Sequence, residues 1–121
     1  MSEEVSFPDD IDSIALKFLD LQGKAREIRI PPDMMDIVLE DGISFDSSNV
    51  GFTDVSESDM VAIPDPSNYK IMKYDDEKIA IFLCEMHWPD GSDFKGDPRN
   101  MLKKTLEELE KKDITVRVKP E

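Results

Sequence analysis

The sequence is short of several residue types on which active sites are commonly built. It holds one cysteine and one histidine in 121 residues. The single cysteine, Cys84, cannot form an internal disulfide, which points to a reducing, cytoplasmic location. The single histidine, His87, excludes metal sites built from several imidazoles. Basic residues number 15 against 28 acidic ones, a formal net charge of −13. Nucleic acid and anionic membrane would both repel such a chain, so neither is expected as a partner. No apolar run approaches the roughly 18 residues of a membrane span. The start, Met1-Ser2-Glu3-Glu4, is acidic, whereas a signal peptide is basic and then apolar. Neither GxxxxGK nor GxGxxG occurs, which removes the common phosphate cradles. The length is that of one domain, with room for a modest core but little for a complete enzyme pocket as well.

What is present is an alternation of strand and helix signals. Residues 1–11 are polar and acidic and are expected to be flexible. Ile14, Leu16 and Phe18 recur at every second position, and Ile28 and Ile30 do the same after a turn at Gly23. This predicts a β-hairpin. Pro31-Pro32-Asp33 breaks the strand. Met34, Ile37 and Val38 then take helical spacing, which predicts a short helix, and Gly42 is placed to end it. Residues 43–45 and 59–63 predict short strands, the second stopped by Pro64-Asp65-Pro66, and residues 69–74 an edge strand. Residues 78–87 are the most apolar stretch and predict a central strand covered on both faces. Asp97 is placed to cap a helix that begins at Pro98. Met101, Leu102, Thr105, Leu106 and Leu109 form its expected buried stripe. Residues 114–118 alternate again and predict a last strand. The sum is an α+β domain, a mixed sheet with helices packed on it.

Chemistry-bearing residues concentrate between 46 and 59. This stretch is acidic and rich in hydroxyls, with almost no apolar cover. It reads either as a solvated loop or as a flap that presents carboxylates to a cation or an amine. Phe52 sits within it, suited to a partner's pocket or to a small local core. His87 has no serine or cysteine at a recognisable triad spacing. Cys84 lies inside the apolar strand and reads as an inert core thiol.

The motifs in this region resemble a known family. Gly42-Ile43-Ser44-Phe45-Asp46-Ser47-Ser48, Gly51-Phe52, Glu57-Ser58-Asp59-Met60 and Pro64-Asp65-Pro66 are similar to the G-x-x-F-D-G-S-S, G-F/W, N-E-S-D-M and P-D segments of the N-terminal domain of glutamine synthetase. Phe18-Leu19-Asp20-Leu21-Gln22-Gly23-Lys24 resembles its F-x-D-x-x-G-K hairpin, and Asp97-Pro98-Arg99 its D-P-R helix start. The resemblance runs in order from about residue 12 to 121. It departs from the pattern at Ser47, which stands where the family has glycine or beside a one-residue deletion, and at Ser56, which stands for asparagine.

The fold implied is β-grasp-like: a twisted mixed sheet with one main helix packed across it and a short helix. The division implied is a flexible residue 1–11 segment, a domain over 12–113, and the start of a missing catalytic domain over 114–121. The family joins ammonia to glutamate with ATP and Mg²⁺ or Mn²⁺, in sites formed between subunits of a ring. By that resemblance Asp46 and Asp59 serve the ammonium site of the adjacent subunit, and Ser48, Asn49 and Phe52 lie on the loop that contacts substrate. Glu121 matches the first metal-ligand glutamate of the catalytic domain. The implied partners are the catalytic domain of the same chain and that of the adjacent subunit. The chain alone would then hold no cofactor and have no ligase activity. The alternatives are a domain of a related glutamate–amine ligase, admitted by the altered loop, and a stand-alone β-grasp interaction or regulatory module.

Overall fold

The computed structural model describes residues 10–47 and 59–120. Among them a five-stranded sheet forms, in the order β2-β1-β5-β4-β3. Strands β1 (Ser13–Leu19) and β2 (Ala25–Ile30) are the antiparallel hairpin that the alternation predicts. β5 (Glu77–His87) runs parallel to β1 and antiparallel to β4 (Asp59–Tyr74), and β3 (Ile43–Asp46) closes the far edge against β4. One face of the sheet carries the core: Ile14, Leu16 and Phe18 of β1, Met60 and Ala62 of β4, and Ala80, Phe82, Cys84 and Met86 of β5.

The cover of that face differs from the sequence reading. It is the short helix α1 (Met35–Asp41), which buries Met35 and Val38. Met34 lies in a 3₁₀ turn, Pro32–Met34, ahead of it, and Ile37 is 62 % exposed. The tighter turn moves the inward phase by one residue from the Met34, Ile37, Val38 spacing. The long helix α2 (Pro98–Glu110) buries none of its residues. Met101 is 48 % and Leu102 59 % exposed, and Leu106 and Leu109 are only half-buried, so its apolar stripe is largely uncovered among the described residues. Only its first turns meet the sheet, where Asn100 and Lys103 reach Met86 and Glu85 of β5.

Three further expectations are corrected. Pro64-Asp65-Pro66 does not stop a strand. β4 continues to Tyr74, and the prolines fall in an irregularity between Pro64 and Tyr69, where a missing N–H costs the ladder least. β5 is central, as expected, but its second face is not sealed: Leu83 is 40 % exposed. Residues 114–118 form no strand. After α2, Asp113 takes φ 60° and the Ile114 N–H returns to the Leu109 carbonyl at 2.9 Å. Ile114, Val116 and Val118 then stay exposed.

Candidate functional site: two opposed carboxylates at a strand end

The register of β3 on β4 sets Ile43 opposite Ala62, Ser44 opposite Val61, Phe45 opposite Met60 and Asp46 opposite Asp59. Directly opposed residues project on the same face of a sheet. Asp46 and Asp59 therefore share one face at the end of the β3–β4 pair, and both are exposed. The adjacent rung points the other way and is anchored. Met60 is fully buried, and the Phe45 ring packs on Phe18 with centroids 5.0 Å apart. Ser47, next to Asp46, is buried.

Gly42 sets where β3 begins. It adopts φ 73°, and a Cβ there would meet Val61 Cγ1 at 2.5 Å and the Ala62 carbonyl oxygen at 2.8 Å. Both the backbone conformation and the approach of β4 require glycine. A larger residue would push β3 off β4 and separate the two carboxylates.

The structure thus brings Asp46 and Asp59 together. Ser48, Asn49 and Phe52 lie outside the described residues, as does Glu121. Like charges directly opposed across strands are unfavourable. Two carboxylates on one exposed face can both accept hydrogen bonds from a bound cation. The pair supplies two donors where a divalent ion takes about six oxygen ligands. Among the described residues no group of three or more His, Cys, Asp or Glu side chains could hold a metal ion. The implied Mg²⁺ or Mn²⁺ therefore does not fit a site built from these described residues.

The sequence marked Asp97 as a cap but gave no sign of its second task. Its Oδ1 accepts the Arg99 N–H at 3.2 Å and its Oδ2 accepts the Met86 N–H of β5 at 3.0 Å. Burial pushes its carboxyl above the ordinary value, against the pull of the Met86, Arg99 and Asn100 donors. Arg99 Nη2 donates to Asp65 Oδ2 at 2.9 Å, which joins α2 to the irregularity in β4. Only the spacing of D-P-R after the apolar strand could have hinted at this. His87 is held structurally, with Nδ1 3.2 Å from Asp93 and Nε2 3.5 Å from Glu85. Cys84 is buried, and desolvation pushes its thiol up to about 12. A cleft of about 540 Å³ lies between β5 and α2, lined by Glu85, Asp93, Lys95, Asn100 and Lys103 among others, and excludes both site aspartates. No helix of the described residues is long and apolar enough to cross a membrane.

The fold and motifs have relatives. The family described as glutamine synthetase, beta-grasp domain, matches residues 10–89. The glutamine synthetase of Methanosarcina mazei is 36 % identical over 115 residues, 93 % of this chain and 26 % of that protein. That of Thermotoga maritima is 34 % identical over 116 residues, again 93 % of this chain and 26 % of the relative. Among solved structures, Plasmodium falciparum glutamine synthetase superposes with TM-score 0.79 at 23 % identity, over 93 % of this chain and 24 % of that one. A complex of GmaS with ADP gives TM-score 0.79 at 24 % identity, over 86 % of this chain and 24 % of that one. The chain spans about a quarter of the length of the relatives it matches. With the family's motifs on the matching strands and its fold reproduced, the chain belongs to the N-terminal β-grasp domain family of glutamine synthetase.

Proposed function

We propose that this chain is the N-terminal domain of a cytoplasmic glutamate–ammonia ligase and that it lends Asp46 and Asp59 to the amine site of a neighbouring subunit. The observation that carries this is the opposition of the two aspartates at an exposed strand end, in a chain of the glutamine synthetase family. An ammonium ion between them donates N–H bonds to both carboxylates and relieves their repulsion. Transfer of one proton to a carboxylate leaves neutral ammonia with its lone pair free to attack, and an acid form of that aspartate. Ser48, Asn49 and Phe52 lie between the two aspartates in sequence and would border the same site. ATP and Mg²⁺ or Mn²⁺ would be held by the catalytic part of the ligase, with Glu121 as a ligand in that part.

The surface left open supports a large partner. Met101 and Leu102 of α2, Leu83 of β5, and Ile114, Val116 and Val118 are all exposed. They offer apolar area to the catalytic domains of the same and adjacent subunits. Two experiments test the proposal. In the ligase that carries this domain, Asp46→Asn and Asp59→Asn should each raise the KM for ammonium and lower kcat, by about 10²-fold in kcat/KM for Asp46. Unchanged kinetics across a range of ammonium concentrations would reject the role. The 121-residue chain by itself should release no phosphate from ATP with glutamate and ammonia. Turnover by it would reject the division of labour.

A further inference from the structure

Past the pairing of Val61 with His87, β4 loses β5: Met60 and Asp59 are paired with β3 alone. The segment that carries the two carboxylates is thus a two-stranded overhang on the sheet. Its inner face is anchored by Met60 and Phe45, and the rungs at its root set the direction in which it leaves the sheet. Those rungs are Ala62 with Met86 and Val61 with His87. β1 does not reach them, because its pairing with β5 ends at Lys17 and Leu83.

The segment before α2, which bridges His87 through Asp93, and the start of α2 together stand in for the missing strand. Asp97 Oδ2 accepts the Met86 N–H at 3.0 Å, and Asn100 Nδ2 donates to the Met86 carbonyl at 2.8 Å. The Phe94 N–H donates to the same carbonyl at 3.1 Å. Both backbone groups of Met86 are held in this way. Arg99, between the two, grips β4 through Asp65 at 2.9 Å. One helical turn therefore clamps both strands from which the overhang projects.

We infer that Asp97, Arg99 and Asn100 are positioning residues for the amine site, fixing the root of the β3–β4 overhang and so the aim of Asp46 and Asp59. The inference rests on the role proposed above for those two aspartates. None of the three touches ammonium. Each acts through the strands, where a displacement of about 1 Å is enough to cost a large factor in rate.

The test uses the full-length ligase. Asn100→Ala removes one bond to Met86 and leaves the Asp97 cap and the Phe94 N–H in place. Arg99→Gln releases Asp65 and leaves both side-chain bonds to Met86, so it serves should Asn100→Ala fail to fold. Each should raise the KM for ammonium about tenfold while the KM values for glutamate and ATP stay unchanged. Added to the double variant Asp46→Asn/Asp59→Asn, neither should cost more, because both act through the carboxylates already removed. Losses spread over all three substrates, or losses that add to that of the double variant, overturn the inference. If Asp46→Asn raises the ammonium KM and neither clamp variant does, the clamp alone is wrong. If Asp46→Asn has no effect either, the proposed role of the aspartates fails and the clamp falls with it.

Discussion

Asp20 organises the β1–β2 turn from a buried position. Its Oδ1 accepts the N–H groups of Gln22 at 2.9 Å and Lys24 at 2.8 Å, and its Oδ2 pairs with Arg26 Nε at 2.9 Å. The Lys24 N–H above all, then Arg26 and Gln22, hold its carboxyl below the ordinary 3.8 in spite of desolvation. These donors are lost on unfolding, so the unfolded chain takes up the proton first. The stability from Asp20 is complete above the ordinary value and drains away as pH falls through it toward the lower folded value. Asp20→Asn should therefore melt well below the parent at neutral pH, and the gap should narrow at about pH 3. A gap in melting temperature that ignores pH would contradict the pairing. Cys84 makes the opposite kind of prediction. With its thiol pushed up to about 12 by burial, iodoacetamide should add to it only when the chain is unfolded, as mass spectrometry would record.

At the scale of elements, the two helices exchange the roles that their lengths suggest. α1 buries Met35 and Val38 over the core, while α2 buries nothing. Met35→Ala should cost about 2–5 kcal/mol in urea unfolding, and Leu102→Ala should stay within about 0.5 kcal/mol. The reverse order would make α2 the cover. Strand positions were legible because alternation records which side of a strand meets the core: Ile14, Leu16 and Phe18 all point inward as read. Amphipathicity records only that a face is apolar, not whether this chain covers it. That is why the stripe on α2 and the alternation over 114–118 misled. The passage of β4 through Pro64 and Pro66 was hidden for another reason. A proline's cost depends on whether its N–H would have been needed, and residues 65–68 of β4, between the Pro64–Cys84 and Tyr69–Phe82 pairs, stand outside the ladder.

At the scale of the molecule, the site was half legible. Phe45-Asp46 and Ser58-Asp59-Met60 carried the family motifs, so both aspartates could be named. Their opposition could not. Alternation alone permits more than one register, and the burial of Met60 with the contact of Phe45 on Phe18 goes with the one that puts both carboxylates on the exposed face. The link from α2 to β5 joins residues distant in sequence and leaves no periodic trace. A domain with its core covered by α1 and other apolar side chains exposed among the described residues suits the proposed role of completing a neighbour's site. The most direct measurement is subunit complementation. Ligase subunits bearing Asp46→Asn would be mixed with subunits inactivated in their catalytic part, reassembled into oligomers and assayed for glutamine formation. If Asp46 serves the adjacent subunit, mixed oligomers regain activity that neither parent has. If it serves its own subunit, the mixture stays as inactive as its parents, and if it serves none, the Asp46→Asn parent is itself active.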